Sequence, residues 1–192
     1  MSILADIAII AWPWRTILLT ATVIVGAFLV LHAVWVACTP RHLTVRERHG
    51  AISRVAYVLF VLVTVVLAAT AFGNLWRGVS MKGYALLAHV AASGAFLFLL
   101  LCLSLFFLPR GTDRTGQPHE LEHRWWLARW SAWMLVGSSI VAAATMLVSM
   151  LPLADTNGLL LLAQVHRVGG LAVLVSLILH VYAMSVTRAG WR

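Results

Sequence analysis

Along this chain the polar positions fall into clusters, and the stretches between them are almost wholly apolar. Five such stretches, Thr16–Cys38, Gly50–Gly73, Tyr84–Leu108, Trp130–Leu153 and Gly158–Thr187, are each long enough to cross about 30 Å of hydrocarbon. None holds Asp, Glu or Lys. They show no alternation of period two, which excludes a β-barrel. Backbone groups in lipid must pair within their own segment, so each run is expected to be a helix. The pattern therefore predicts an all-α integral membrane bundle of five transmembrane helices, one membrane domain over residues 1–192.

The boundaries are punctuated. Thr44 and Glu47 have the spacing of a capping box and place a helix start near Val45, with His49 in its first turns. Pro109 stops the third run, and Pro152, Asp155, Asn157 and Gly158 mark a tight turn between the fourth and fifth. Residues 1–15, with Asp6 and Pro13, make a poor signal peptide and are expected to lie at the interface, Trp12 and Trp14 among the headgroups. No internal repeat is visible.

Composition sharpens this picture. Of 192 residues, 62% are hydrophobic and only 10% charged, too apolar for a soluble domain of this size. The net charge of +8 points to basic loops rather than to nucleic acid. Arg41, Arg46, Arg48, Arg54, Arg110, Arg114, Arg124, Arg129, Arg188 and Arg192 fall on one side, against Arg15, Arg77, Lys82 and Arg167 on the other. The expected location is a bacterial cytoplasmic membrane, N-terminus outside and C-terminus in the cytoplasm. Cys38 and Cys102 form no C-x-x-C-H motif, so covalent c-type haem is excluded, and both thiols are expected to be buried packing residues.

Eight histidines are many for such a chain. His42, His119 and His123 fall in loops. His32, His49, His89, His166 and His180 lie in or at the ends of helices, where a polar group is costly and needs a reason. His166 and His180 are fourteen residues apart on one run. That is nearly four turns and about 21 Å, so both point the same way near opposite edges of the hydrocarbon. Two stacked haems need this arrangement, with a second imidazole for each from another helix. Matching depths pairs His89 with His166, and leaves His180 to meet either His49 or His32. Ala91, Ala92, Ser93, Gly94 and Ala95 after His89, Gly169 and Gly170 after His166, and Gly50 after His49 let a flat ligand approach. Arg48, Arg54 and Arg167 can pair with propionates or snorkel to the interface.

The segments Arg46-Glu-Arg-His49, Leu87-Ala-His89 with Gly94, and His166-Arg-Val-Gly-Gly170 running to His180-Val-Tyr182 resemble the di-haem cytochrome b (gamma) subunits of respiratory formate dehydrogenases and related hydrogenases. The likeness covers about residues 46–187. It implies a four-helix di-haem core to which the first helix is an addition. It implies His49, His89, His166 and His180 as the iron ligands, and so favours His49 over His32. The five-helix layout is also similar to the gamma subunits of nitrate reductases, but those take two histidines from each of two helices, whereas here the second run supplies one. The resemblance implies two haem b groups, and quinone as a further bound group. It implies an iron–sulfur or multihaem electron-transfer subunit and a catalytic subunit as partners. The expected function is then a membrane anchor passing electrons between a redox partner and the quinone pool, not catalytic alone. The alternatives are a stand-alone di-haem quinone-linked oxidoreductase of the superoxide-oxidising kind, and a haem-free anchor or transporter component.

Overall fold

The computed structural model describes residues 13–38, 51–107 and 126–188. These hold five helices: α1 (Trp14–Cys38), α2 (Ala51–Arg77), α3 (Tyr84–Phe107), α4 (Trp126–Ser149) and α5 (Thr156–Arg188). Each is long and apolar enough to cross a membrane, and the described residues contain no strand. The protein is an all-α multi-pass membrane bundle. Residues 1–12, the capping box, Arg48, His49 and Gly50, and the loop carrying His119 and His123 lie outside the described residues.

α1 starts at Trp14 rather than Thr16, which puts Trp14 in the helix, and α5 at Thr156 rather than Gly158; α2 and α4 differ more from the expected limits. α2 continues four residues past Gly73, to Arg77. Its stop is chemical: Gly78 adopts φ +68°, and the Gly78 and Val79 amides donate to the Leu75 and Asn74 carbonyls at 3.2 and 3.1 Å. This left-handed cap satisfies the last carbonyls, and glycine alone takes it without strain. α4 runs over 126–149 rather than 130–153. Met150, Leu151 and Leu153 are apolar, yet they form the turn around Pro152. Hydropathy cannot separate an apolar turn from an apolar helix; proline, by restricting the residue before it, does. α5 begins at Thr156 because Asp155 caps it, its Oδ1 accepting from the Gly158 amide at 2.8 Å.

In lipid an apolar side chain gains little by leaving the hydrocarbon, so small residues and polar bonds decide which helices touch. Accordingly Leu31, Val58, Phe98 and Leu101 are exposed, while Thr64, Ser131, Ser139, Thr145 and Ser176 are buried. Thr64 and Ser139 return their hydroxyls to carbonyls of their own helices, those of Phe60 and Leu135, at 2.8 and 2.6 Å. Cys38 is exposed and Cys102 half-buried, which corrects the expectation that both thiols pack inside. An apolar thiol facing lipid needs no partner.

α4 lies along α5, and α2 along α3, while the two hairpins touch sparingly. They meet at a waist of Phe60, Phe96, Leu100, Leu135, Val173 and Leu177, where the Phe60 and Phe96 rings stack with centroids 5.1 Å apart. Val173 is midway between His166 and His180. The waist thus separates two levels of the bundle, one at each histidine.

Candidate functional site: two histidine levels on one hairpin

α4 and α5 run antiparallel, so residues rising along one fall along the other. At one level the His166 Nδ1–H donates to the Ala142 carbonyl at 2.9 Å, with Thr145 Oγ1 3.4 Å away. At the other the His180 Nδ1–H donates to the Ala128 carbonyl at 3.2 Å, with Ser131 Oγ also at 3.2 Å. Each hydroxyl sits three residues past its carbonyl and donates to it: Thr145 to Ala142 at 2.9 Å, Ser131 to Ala128 at 3.0 Å. Ala128 and Ala142, Ser131 and Thr145, and His166 and His180 are all fourteen residues apart. The hairpin therefore carries one hook twice. This repeat escaped the sequence because only the antiparallel pairing makes the two spacings correspond.

The hook sets the chemistry of each ring. A carbonyl only accepts, so Nδ1 carries the hydrogen and Nε2 keeps its lone pair. An imidazole held through Nδ1–H with Nε2 bare is the usual form of a metal-ligating histidine. Neither Nε2 has a hydrogen-bond partner among the described residues.

Opposite His166 stands His89 of α3, ring centroids 6.5 Å apart and planes at 79°. Thr70 of α2 holds it. The Thr70 hydroxyl donates to the Val66 and Leu67 carbonyls at 2.8 and 3.0 Å, leaving its lone pair for His89 Nδ1–H at 2.9 Å. The Leu67 carbonyl, three residues before Thr70, also accepts from His89, so His89 is held by the same kind of carbonyl-and-hydroxyl pair as His166. Two metal–nitrogen bonds of about 2 Å, plus the half-widths of two rings, span about 6.3 Å. The observed separation matches a single metal between the two rings. No three ligating side chains converge among the described residues, so such a metal would have to bring its remaining ligands with it. A haem iron does.

The His180 level differs. The ring facing His180 is Tyr57 of α2, centroids 5.9 Å apart and tilted by 64°. His32 of α1 meets α5 elsewhere: its Nδ1 is 2.8 Å from the Tyr182 hydroxyl. Two residues along a helix are about 200° of rotation, so Tyr182 and His180 face different sides of α5. His49 and Arg48 lie outside the described residues. Arg54 and Arg167 are exposed and make no hydrogen bond or ion pair among the described residues.

The glycines divide in the same way. A Cβ at Gly169 would lie 3.3 Å from the Ala142 backbone, so this glycine serves the close approach of α4 and α5. Gly94 and Gly73 have nothing within 4 Å of that position, and Gly170 only the Phe72 ring edge at 3.9 Å. Gly170 is one turn beyond His166, and the room above it suits a flat group. No family model, curated protein or solved structure matches this chain.

Proposed function

We propose that the protein is a di-haem cytochrome b, the membrane subunit that carries electrons between a redox partner subunit and membrane quinone. The observation that carries this is the His89–His166 pair, 6.5 Å apart with both Nδ1 atoms engaged. The twin hook at His180 extends the reading to a second haem. On it, His89 and His166 hold one haem, and His180 holds the other with His49 as its expected partner. Haem at each level supplies one-electron iron chemistry.

The chain's own residues do the rest. Ala142 and Thr145, Ala128 and Ser131, and Thr70 hold the rings and keep each Nε2 unprotonated. The apolar waist keeps water from the path between levels. Arg54 and Arg167, both exposed, would pair with propionates. The proposed setting is a bacterial cytoplasmic membrane, N-terminus outside. An iron–sulfur or multihaem subunit would supply or take the electrons, together with a catalytic subunit.

The optical spectrum of the gently extracted protein tests this. The expected result is two non-covalent, low-spin b-type haems per chain, reversibly reducible. A haem-to-protein ratio near zero would end the proposal, and a ratio near one would confine it to one level.

A further inference from the structure

α1 touches the bundle differently from the other helices. Its inward stripe is buried at Trp14 (7% exposed), Leu18 (9%) and Val36 (3%), but only half-buried between, at Ala21, Val25, Leu29 and His32. A Cβ at Gly26 would meet nothing within 4 Å. Two polar contacts fasten the ends. Arg15 Nε donates to the Trp76 carbonyl at 2.7 Å, and His32 joins Tyr182 at 2.8 Å. Between Leu18 and His32, over about 21 Å of helix, this stripe is left only half-covered by its neighbours.

His32 closes one end of this opening. It is six residues from the midpoint of α1, about 9 Å, inside the roughly 15 Å half-thickness of the hydrocarbon. Phe28 stacks on its ring at 5.8 Å and 29°, and Trp35 lies at 5.7 Å and 57°. Both are exposed and flank the His32 ring. His32 Nε2 has no partner among the described residues.

The His–Tyr bond can run either way, and both directions have the same consequence. If Tyr182 donates to Nδ1, the ring hydrogen is on Nε2 and the phenol oxygen can still accept. If Nδ1–H donates to the phenol, the hydroxyl hydrogen is free and Nε2 accepts. Either way the pair presents one outward donor and one acceptor within the hydrocarbon.

We propose that the opening between α1 and the bundle admits a lipid-soluble quinone, whose headgroup binds the His32–Tyr182 pair beside Phe28 and Trp35. This rests on the quinone-linked reading above and gives it a place. A neutral flat ring suits an aromatic-walled slot at this depth, whereas a charged phospholipid headgroup belongs above it. A quinone carbonyl uses the donor and a quinol hydroxyl the acceptor, so one site serves both forms. Tyr182 is two residues beyond His180, which puts the slot next to the second haem level.

The test is equilibrium binding of a decyl-tailed benzoquinone to the purified full-length chain in lipid nanodiscs, read by quenching of tryptophan fluorescence, with haem content measured on the same samples. Expected are saturable binding by the wild type, and about tenfold weaker binding for both Tyr182→Phe and His32→Ala at unchanged haem content, one hydrogen bond's share in each. Trp35→Phe should remove a large part of the quench. Unchanged affinity in Tyr182→Phe overturns the proposal, as does loss of binding in His32→Ala only together with loss of haem. Absence of haem from the wild type would sink the cytochrome reading, while saturable quinone binding that depends on Tyr182 would still support this site.

Discussion

The two histidine levels are alike on one side and unlike on the other. On the α4–α5 hairpin, His166 and His180 are held by the same carbonyl-and-hydroxyl hook, fourteen residues apart. Across the gap, His166 faces His89, but His180 faces Tyr57. One hairpin is thus a repeated holder, and the other side distinguishes the levels. A position repeated by helix geometry can be duplicated at little cost, because the same two helices pass both levels. The facing ring comes from a different helix each time, His89 from α3 and Tyr57 from α2, and has no such constraint.

The largest expected effects come from removing imidazoles. His166→Ala and His89→Ala should each lower haem content from two to about one per chain and leave identical residual spectra. His180→Ala should leave the complementary spectrum, because one neutral imidazole rarely keeps a low-spin iron. If His166→Ala and His89→Ala leave different spectra, the two residues do not share a metal.

The next experiment sharpens the unlike side. His49→Ala should reproduce the His180→Ala spectrum, while His32→Ala and Tyr57→Phe retain both haems. Loss of the second haem in His32→Ala alone would bring α1 into the electron path as a ligand helix.

Weaker effects should follow from the holders. Thr70→Val removes one of the two oxygens that face His89 and leaves the Leu67 carbonyl in place, and should weaken haem retention no more than a few-fold, measured by transfer to apomyoglobin. Thr145→Ala and Ser131→Ala leave the Ala142 and Ala128 carbonyls in place. Each should cost about 0.6 kcal/mol, no more than a few-fold in the same assay. Losses of about tenfold or more in these variants would mean that the hydroxyls, not the carbonyls, hold the rings.

The smallest effect on haem binding is expected from packing variants. Gly169→Ala must move the α4 backbone by a few tenths of an ångström, and should lower thermal stability by about 1–3 kcal/mol with haem ratios unchanged. Gly94→Ala, with open space at its Cβ, should leave the stability of haem-stripped protein unaltered.

The number of helices, their all-α membrane character and most of their limits were legible in the chain, because lipid forces an uninterrupted apolar run to pair its own backbone. The limits failed where apolarity and helix diverge, at Met150–Leu153, and where a polar helical turn followed an apolar one, at Asn74–Arg77. The fourteen-residue spacing of His166 and His180 was visible because both lie on one helix, whose rise is a constant. Thr70, Tyr57, Ser131 and Thr145 carried no comparable signal. Each reads as an ordinary membrane-helix residue until a neighbouring helix brings a histidine to it.

The sequence by itself thus determined the spans, and the face that α5 turns inward. Depth along the helices already paired His89 with His166, whose rings do face each other; only the tertiary structure decided which carbonyl meets which ring, and that His32 joins Tyr182 rather than His180. The reason is physical. Within a helix, geometry follows from residue number alone, whereas contacts between helices in lipid depend on small residues and a few hydrogen bonds, each worth about 1 kcal/mol, whose partners the chain does not announce.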